Sequence, residues 1–307
     1  MAEAAYDDAV ERDEAVAAEG AHDALHDEAV AAHRRRNRLG PLFWVPLSWL
    51  VFVLLATIFA PMLGVPEPDA IDWGNIQVAP NAAHLLGTDV LGRDLLSRVV
   101  YGGRVSLTVG FTAPLLGMVL GLVIGIIAGY YRGWTDEIIG TAVDTWLAIP
   151  GLVILLLFST IFGGSLPMVC IALGLLFIPA AARITRAATL NFATREFVLA
   201  ARAMGASDIR ILALEIFPNI IWPLIAYILI AIPFAIVIEG ALSFLGLSVA
   251  SPTPSWGGTI AEGREHLEES PHISLIPTAV MFTTVLCFNL VGDTVRRRLA
   301  DVRERAI

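Results

Sequence analysis

The sequence predicts an all-α membrane protein, a bundle of six transmembrane helices, and three observations carry that prediction. Of the 307 residues, 56% are hydrophobic and only 16% charged. The apolar residues come in runs of about twenty, enough to cross roughly 30 Å of hydrocarbon at about 1.5 Å per residue. They do not alternate as half-buried strands would. The basic residues, all of them arginine, sort to one side of those runs, as the positive-inside rule requires of a multi-pass chain.

Residues 1–39 stand apart as an acidic cytosolic tail with a basic juxtamembrane end. Glu3 to Glu28 supplies ten carboxylates against Arg12 alone, a composition that stays solvated. His22 and His26 are spaced to share a helix face, but two histidines in a polar tail do not make a metal site, and no metal is expected. No basic stub precedes a short apolar core. The first apolar run therefore serves as an uncleaved anchor in place of a cleaved signal.

Apolar runs at 42–63, 105–131, 138–162, 166–187, 219–247 and 273–293 are the six expected spans. An even number puts both termini on one side. Sixteen of the twenty arginines lie on that side, among them Arg34 to Arg38, Arg132, Arg183 to Arg210 and Arg296 to Arg305. That side is the cytoplasm, and the protein is expected in the cytoplasmic membrane. Arg93, Arg98 and Arg104 fall on the other side. With Asp89 and Asp94 beside them, they are expected to form a folded external element with internal pairing, within a first section 40–104. The core would span 105–293, with a cytosolic loop at 188–218 and a cytosolic tail at 294–307.

Gly117, Gly121, Gly125 and Gly129 form one stripe on the second span and predict close packing against a neighbouring helix. Pro150, Pro179, Pro223, Pro233 and Pro277 each remove a backbone hydrogen bond and mark expected kinks. Asp144 and Glu239 are the ionisable residues that these limits place deepest, where a charge is costly unless paired or hydrated. A structural or gating role for them is favoured over a proton relay, because no chain of such groups and no intramembrane histidine accompanies them. Arg183 and Arg186 are expected to snorkel toward the interface.

No lysine is present, which excludes a P-loop and Schiff-base chemistry. Any ATP must bind elsewhere. Cys170 and Cys287 lie far apart in apolar runs and are expected to be packing residues. No nucleophile with a base is visible, so no catalytic residue is expected. Nothing suggests nucleic acid as a partner, whereas membrane lipid is one.

The polar interruption from Arg195 to Asn219 reads as helix, sharp turn, helix. Phe197, Ala200, Ala201 and Met204 follow helical spacing, and Gly205 suits the left-handed position that ends a helix. Ser207 or Asp208 would cap a second helix through Ile211 and Leu214, until Pro218 opens the fifth span. Small residues on such a surface invite close docking by another protein.

This segment resembles the cytoplasmic loop of binding-protein-dependent ABC transporter permeases, written E-A-A, three residues, then G. "LAARAMGA" places Ala200, Ala201, Arg202, Met204, Gly205 and Ala206 on that pattern, with Asp208 following and Pro218 thirteen residues after the glycine. Leu199 replaces the signature glutamate, and Glu215 with Phe217 replace the usual isoleucine and leucine. "LGTDVLGRDLLSRVVYGGRVSLTVG" resembles the external segment of the dipeptide, oligopeptide and nickel permeases, with Gly87, Thr88, Asp89, Gly92, Arg93 and Asp94 on the motif. "YYRGWTDEIIGTAVDTWLAIPGL", "EGALSFLGLSVASPTPSWGGTI" and "NLVGDTVRRRLADVR" are similar to further stretches of that family, Ser248 standing where glycine is common.

The resemblance covers about residues 40–305 and points to the C-type subunit of a type I ABC importer permease. It implies a heterodimer with a homologous permease, two cytosolic ATPase subunits that hold ATP and magnesium, and an extracytoplasmic binding protein. The loop around Gly205 would be the coupling helix. The solute would be a di- or oligopeptide, with nickel or another small solute as the alternative. An ion-coupled carrier using Asp144 and Glu239 is the rival from a different class.

Overall fold

The computed structural model of the chain describes residues 40–305, with side chains to Arg298. The acidic tail, His22, His26 and the arginines at 12, 34–36 and 38 lie outside the described residues. Pro46 onward forms one compact unit. The elements are α1 (Pro41–Ile58), α2 (Leu95–Tyr131), α3 (Gly133–Ala148), α4 (Gly151–Phe162), α5 (Leu166–Phe192), α6 (Glu196–Ala203), α7 (Asp208–Phe244), α8 (Trp256–Gly263) and α9 (His272–Arg305). Five of them, α1, α2, α5, α7 and α9, are long and apolar enough to cross a membrane. The remaining expected span, at 138–162, is broken, because α3 and α4 meet at 78°.

The break has a local cause. Ile149 precedes Pro150 and sits at φ −81°, ψ 124°, the extended conformation that a following proline imposes. Elsewhere the prolines are absorbed, since Pro179, Pro223, Pro233 and Pro277 all remain inside continuous helices. The helices also outrun the apolar runs that predict them. α2 begins ten residues before the run, at Leu95, because the Asp94 side chain caps it by accepting from Ser97 N at 2.9 Å.

α2 and α5 form the tightest pair, and the glycine stripe is the reason. A Cβ at Gly121 would lie 2.5 Å from Ala181 Cβ, and one at Gly125 would lie 2.5 Å from Ala182 O. At Gly129 it would stand 2.7 Å from Thr189 Cβ, and at Gly117 it would strike Phe177. No side chain fits, so the two backbones touch. α7 packs across this pair, and Val109, Ala113, Leu173, Phe177 and Ala235 form the shared core. α3 is different: none of its residues is buried.

α2 runs the length of the bundle. One end, where α2 starts and α7 finishes, carries the 64–94 segment and α8; the other, where α2 finishes and α7 starts, carries α6.

Candidate functional site: a rigid turn at one end and an ionic knot at the other

At the α6 end, Val198 and Ala201 point inward and join Tyr130, Ile211, Ile216, Ile220 and Leu224 in a buried apolar cluster. The turn that follows closes as a double hydrogen-bonded cap: Ala206 N donates to Ala201 O at 3.1 Å and Gly205 N to Arg202 O at 3.0 Å. Gly205 has φ +81°, the left-handed value this cap demands. The expectation at Gly205 holds.

One expectation about the neighbouring residues, at Pro218, needs correction. Phe197, Ala200 and Met204 face away from the bundle, and Ala201 alone of the four is buried. Periodicity fixes a stripe but not which stripe meets the body, and Val198 anchors the opposite one. The outward surface is apolar: Met204 is 82% exposed, Ile209 78% and Leu199 51%. Further, Pro218 does not open a new helix, because α7 already runs from Asp208. Lacking an N–H, Pro218 leaves the ladder short of a donor, and the preceding turn, Ile211–Ile216, widens to π-helical pairing with Phe217 N donating to Leu212 O.

Asp208 ties this turn to the bundle. Ser207 makes no side-chain cap. Asp208 Oδ1 instead accepts from the Tyr130 hydroxyl at 2.7 Å, and the Arg202 guanidinium lies 5.4 Å from the centre of the Tyr130 ring. Tyr130 therefore touches both arms of the turn from the last residues of α2.

At the opposite end the 87–94 stretch is a knot built around Asp89, which is fully buried. Its Oδ1 accepts from Leu91 N and Arg93 N, both at 2.9 Å. Its Oδ2 meets Arg93 Nε at 2.6 Å and Arg98 Nε at 3.2 Å. Both guanidiniums then reach Glu262 on α8, Arg93 at 2.8 Å and Arg98 at 3.0 Å. Asp94 pairs with His84 Nδ1 at 3.0 Å while capping α2. The buried Thr88 hydroxyl accepts from Val78 N at 2.9 Å and donates to Asn75 O at 2.5 Å. Gly87 and Gly92 take positive φ, and a Cβ on Gly87 would lie 2.5 Å from Val78 O.

The expected pairing of Arg93 and Arg98 with Asp89 is thus present. Arg104 differs: it donates to the carbonyls of Thr57 and Ile58 at the end of α1, at 2.6 and 2.9 Å. Glu262 and His84 were not foreseen. The available signal for Glu262 was an excess of cations in one loop and an acid-rich stretch in the next.

Asp144 and Glu239 do not come together. Glu239 on α7 is fully buried and accepts from three serine hydroxyls. Asp144 sits on the outlying α3 with its side chain 67% exposed, paired to Arg183 at 2.6 Å. Arg186 pairs with Asp136 on the same helix. These two arginines clasp α3 to α5. Between them lies a cavity of about 170 Å³ lined by Gly125, Gly140, Asp144, Arg183 and Arg186. The described residues hold no cluster of three or more potential metal ligands.

Residues 121–301 match the model of the binding-protein-dependent transport system inner membrane component family. The chain belongs to that family. The permease is 36% identical over 257 residues to the glutathione transport system permease protein GsiD of Pectobacterium atrosepticum, covering 83% of this chain and 85% of that protein. It is 35% identical over 266 residues to GsiD of Escherichia coli O6:K15:H31, covering 86% and 88%. Among solved structures, an inward-facing form of the MetNI methionine ABC transporter superposes with a TM-score of 0.56 at 19% identity, over 67% of this chain and 97% of that one. That likeness concerns the fold alone. The permease is accordingly the membrane-spanning component of a binding-protein-dependent ABC importer, a transport part and not itself a catalyst. Membership implies ATPase and binding-protein partners and sets aside the ion-coupled carrier.

Proposed function

We propose that this permease lines half of a pathway for peptides, in a heterodimer with a homologous permease, and that the 195–218 turn is the coupling helix seated in a cytosolic ATPase. The observation that carries the coupling reading is the turn's outward apolar surface. Leu199, Met204 and Ile209 are exposed on a segment whose backbone is locked by the Gly205 cap and whose inner face is buried. A surface of that kind favours a protein groove over water. Ala200, Arg202, Ala206 and Asp208 complete the turn.

Peptides are favoured as solutes by similarity to permeases named for glutathione transport. The arginine distribution supports cytosolic termini, placing the α6 end in the cytoplasm and the Asp89 knot outside. There, the buried knot from Gly87 to Asp94 would stiffen the end that meets the binding protein.

ATP and magnesium would bind on the partner subunits and supply the closure that moves the docked turn. This chain's own residues transmit it. Tyr130 links the turn to α2, and Ile211, Ile216 and Ile220 link it to α7, so a push on the turn moves the glycine-packed α2 and α5 pair as one body. α3, held by two ion pairs and no buried side chain, is free to change its seat. Alternating access then is a shift between two packings.

The test is reconstitution of the chain with its sister permease, ATPases and binding protein in proteoliposomes. Uptake of glutathione or a short peptide only with ATP and all partners is the expected result. Uptake by this chain alone, driven by an ion gradient, would overturn the reading.

A further inference from the structure

Glu239 makes no ion pair with an arginine or histidine among the described residues, although it is fully buried. A carboxylate in that position is costly unless its oxygens are satisfied. Three hydroxyls satisfy them. Ser106 Oγ donates to Oε2 at 2.9 Å, and Ser243 Oγ and Ser248 Oγ donate to Oε1 at 2.7 and 2.9 Å.

Behind these serines stand backbone donors from the first turn of α8. Trp256 N donates to Ser106 Oγ at 3.2 Å, and Gly258 N donates to Ser255 Oγ at 3.0 Å, itself 3.2 Å from Ser243 Oγ. A serine has one proton to give. Ser106 accepts from α8 and gives its proton to Glu239, while Ser255 accepts from α8 and shares a hydroxyl contact with Ser243 that can run in either direction. Ser106 and Ser248 have no other acceptor among the described residues, and Ser243 has only Ser255. A protonated Glu239 would add a donor to a network already supplied with them. The partial positive charge of the α8 N-terminus acts in the same sense.

Packing shows what this charge holds. A Cβ on Gly257 would lie 2.5 Å from Gly240 Cα, next to Glu239, and one on Gly102 would lie 3.1 Å from the Ser255 carbonyl carbon. α8 is seated without side-chain padding on α2 and α7 at the place where the serines converge. Trp256, 1% exposed, adds a bond from its indole Nε1 to Val99 O at 2.9 Å.

We infer that Glu239 is an ionised positioning residue that draws the first turn of α8 and the 245–255 loop onto α2 and α7, and that Ser248 strengthens this hold as a third donor. Through Arg93 and Arg98 on Glu262, the same helix α8 also carries the Asp89 knot, so Glu239 fixes the seat of that whole end.

The experiment uses the assembled transporter in lipid with Glu239→Gln, Ser248→Gly and Ser248→Ala. The infrared difference between wild type and Glu239→Gln should show loss of a carboxylate stretch, and Ser248→Gly and Ser248→Ala should both shift that same band. ATP-dependent uptake should fall about tenfold or more in Glu239→Gln, the scale of a lost hydrogen bond to a charge, and less in the Ser248 variants. Loss of a protonated carboxyl stretch, an unshifted band in both Ser248 variants, or full uptake in Glu239→Gln would overturn the inference. If Glu239→Gln fails to assemble, the Ser248 band shift decides alone. Only the uptake arm rests on the proposed transport function, so a failure of that function leaves the infrared result standing.

Discussion

Replacing Gly205 separates what its backbone does from what its surface does. At φ +81° an L-residue pays for the left-handed conformation, about 1–2 kcal/mol, and no atom lies within 4 Å of where a Cβ would stand. The penalty is therefore conformational only and is shared by Gly205→Ala and Gly205→Arg. The turn has reserves against it in the Ala206 to Ala201 bond and in the buried Val198, Ala201 and Ile211. Both variants should lower the unfolding midpoint of the detergent-extracted assembly by the same small amount. They should differ in function, because only arginine projects bulk and charge from a face whose neighbours are Met204 and Ile209. In proteoliposomes, Gly205→Ala should keep most ATP-dependent uptake. Gly205→Arg should lose it while membrane insertion survives. Equal uptake in the two variants would refute the docking argument, since the surface would then not matter.

Other consequences are equally specific. Arg98→Ala removes one of the two cations on the buried Asp89, which keeps Arg93, and should cost about 1–3 kcal/mol of stability, read as a lowered unfolding midpoint; Arg98→Lys should not restore it, because one ammonium cannot replace a planar fork that reaches Asp89 and Glu262 together. Gly121→Val should destabilise by about 1–3 kcal/mol through overpacking against α5. Gly140→Ala, with open space around it on α3, should be neutral or stabilising by about 0.5–1 kcal/mol. Asp144→Asn combined with Arg183→Gln should express and transport better than either single variant, since each single change leaves an unpaired charge on a bundle in lipid.

How far the chain could be read in advance differs from element to element. The apolar runs locate every long helix, because burial in lipid demands them regardless of partner. The start of α2 was set instead by a polar residue, Asp94, and hydropathy does not see caps. Pro150 breaks its helix while Pro179, Pro223, Pro233 and Pro277 do not; the difference lies in the packing around each helix, which one sequence does not display. Gly205 was legible because a left-handed turn is a local demand. The outward face of Phe197 and Met204 was not, because two stripes of α6 are apolar and only the fold chooses between them. Glu262 meets arginines more than 160 residues away in sequence. Asp144 and Glu239 look alike as acids in apolar runs, yet one lies on a peripheral helix and the other on a central one.

The claim that an ATPase grips the 195–218 turn is tested most directly by cross-linking. With Cys170 and Cys287 replaced, single cysteines are placed at Met204, which is 82% exposed, and at Val198, which is fully buried on the same helix. In the assembled transporter, Met204→Cys should cross-link to an ATPase subunit and Val198→Cys should not. Absence of any Met204→Cys product, with that position equally reactive to a soluble thiol reagent whether or not the ATPases are present, would contradict the account.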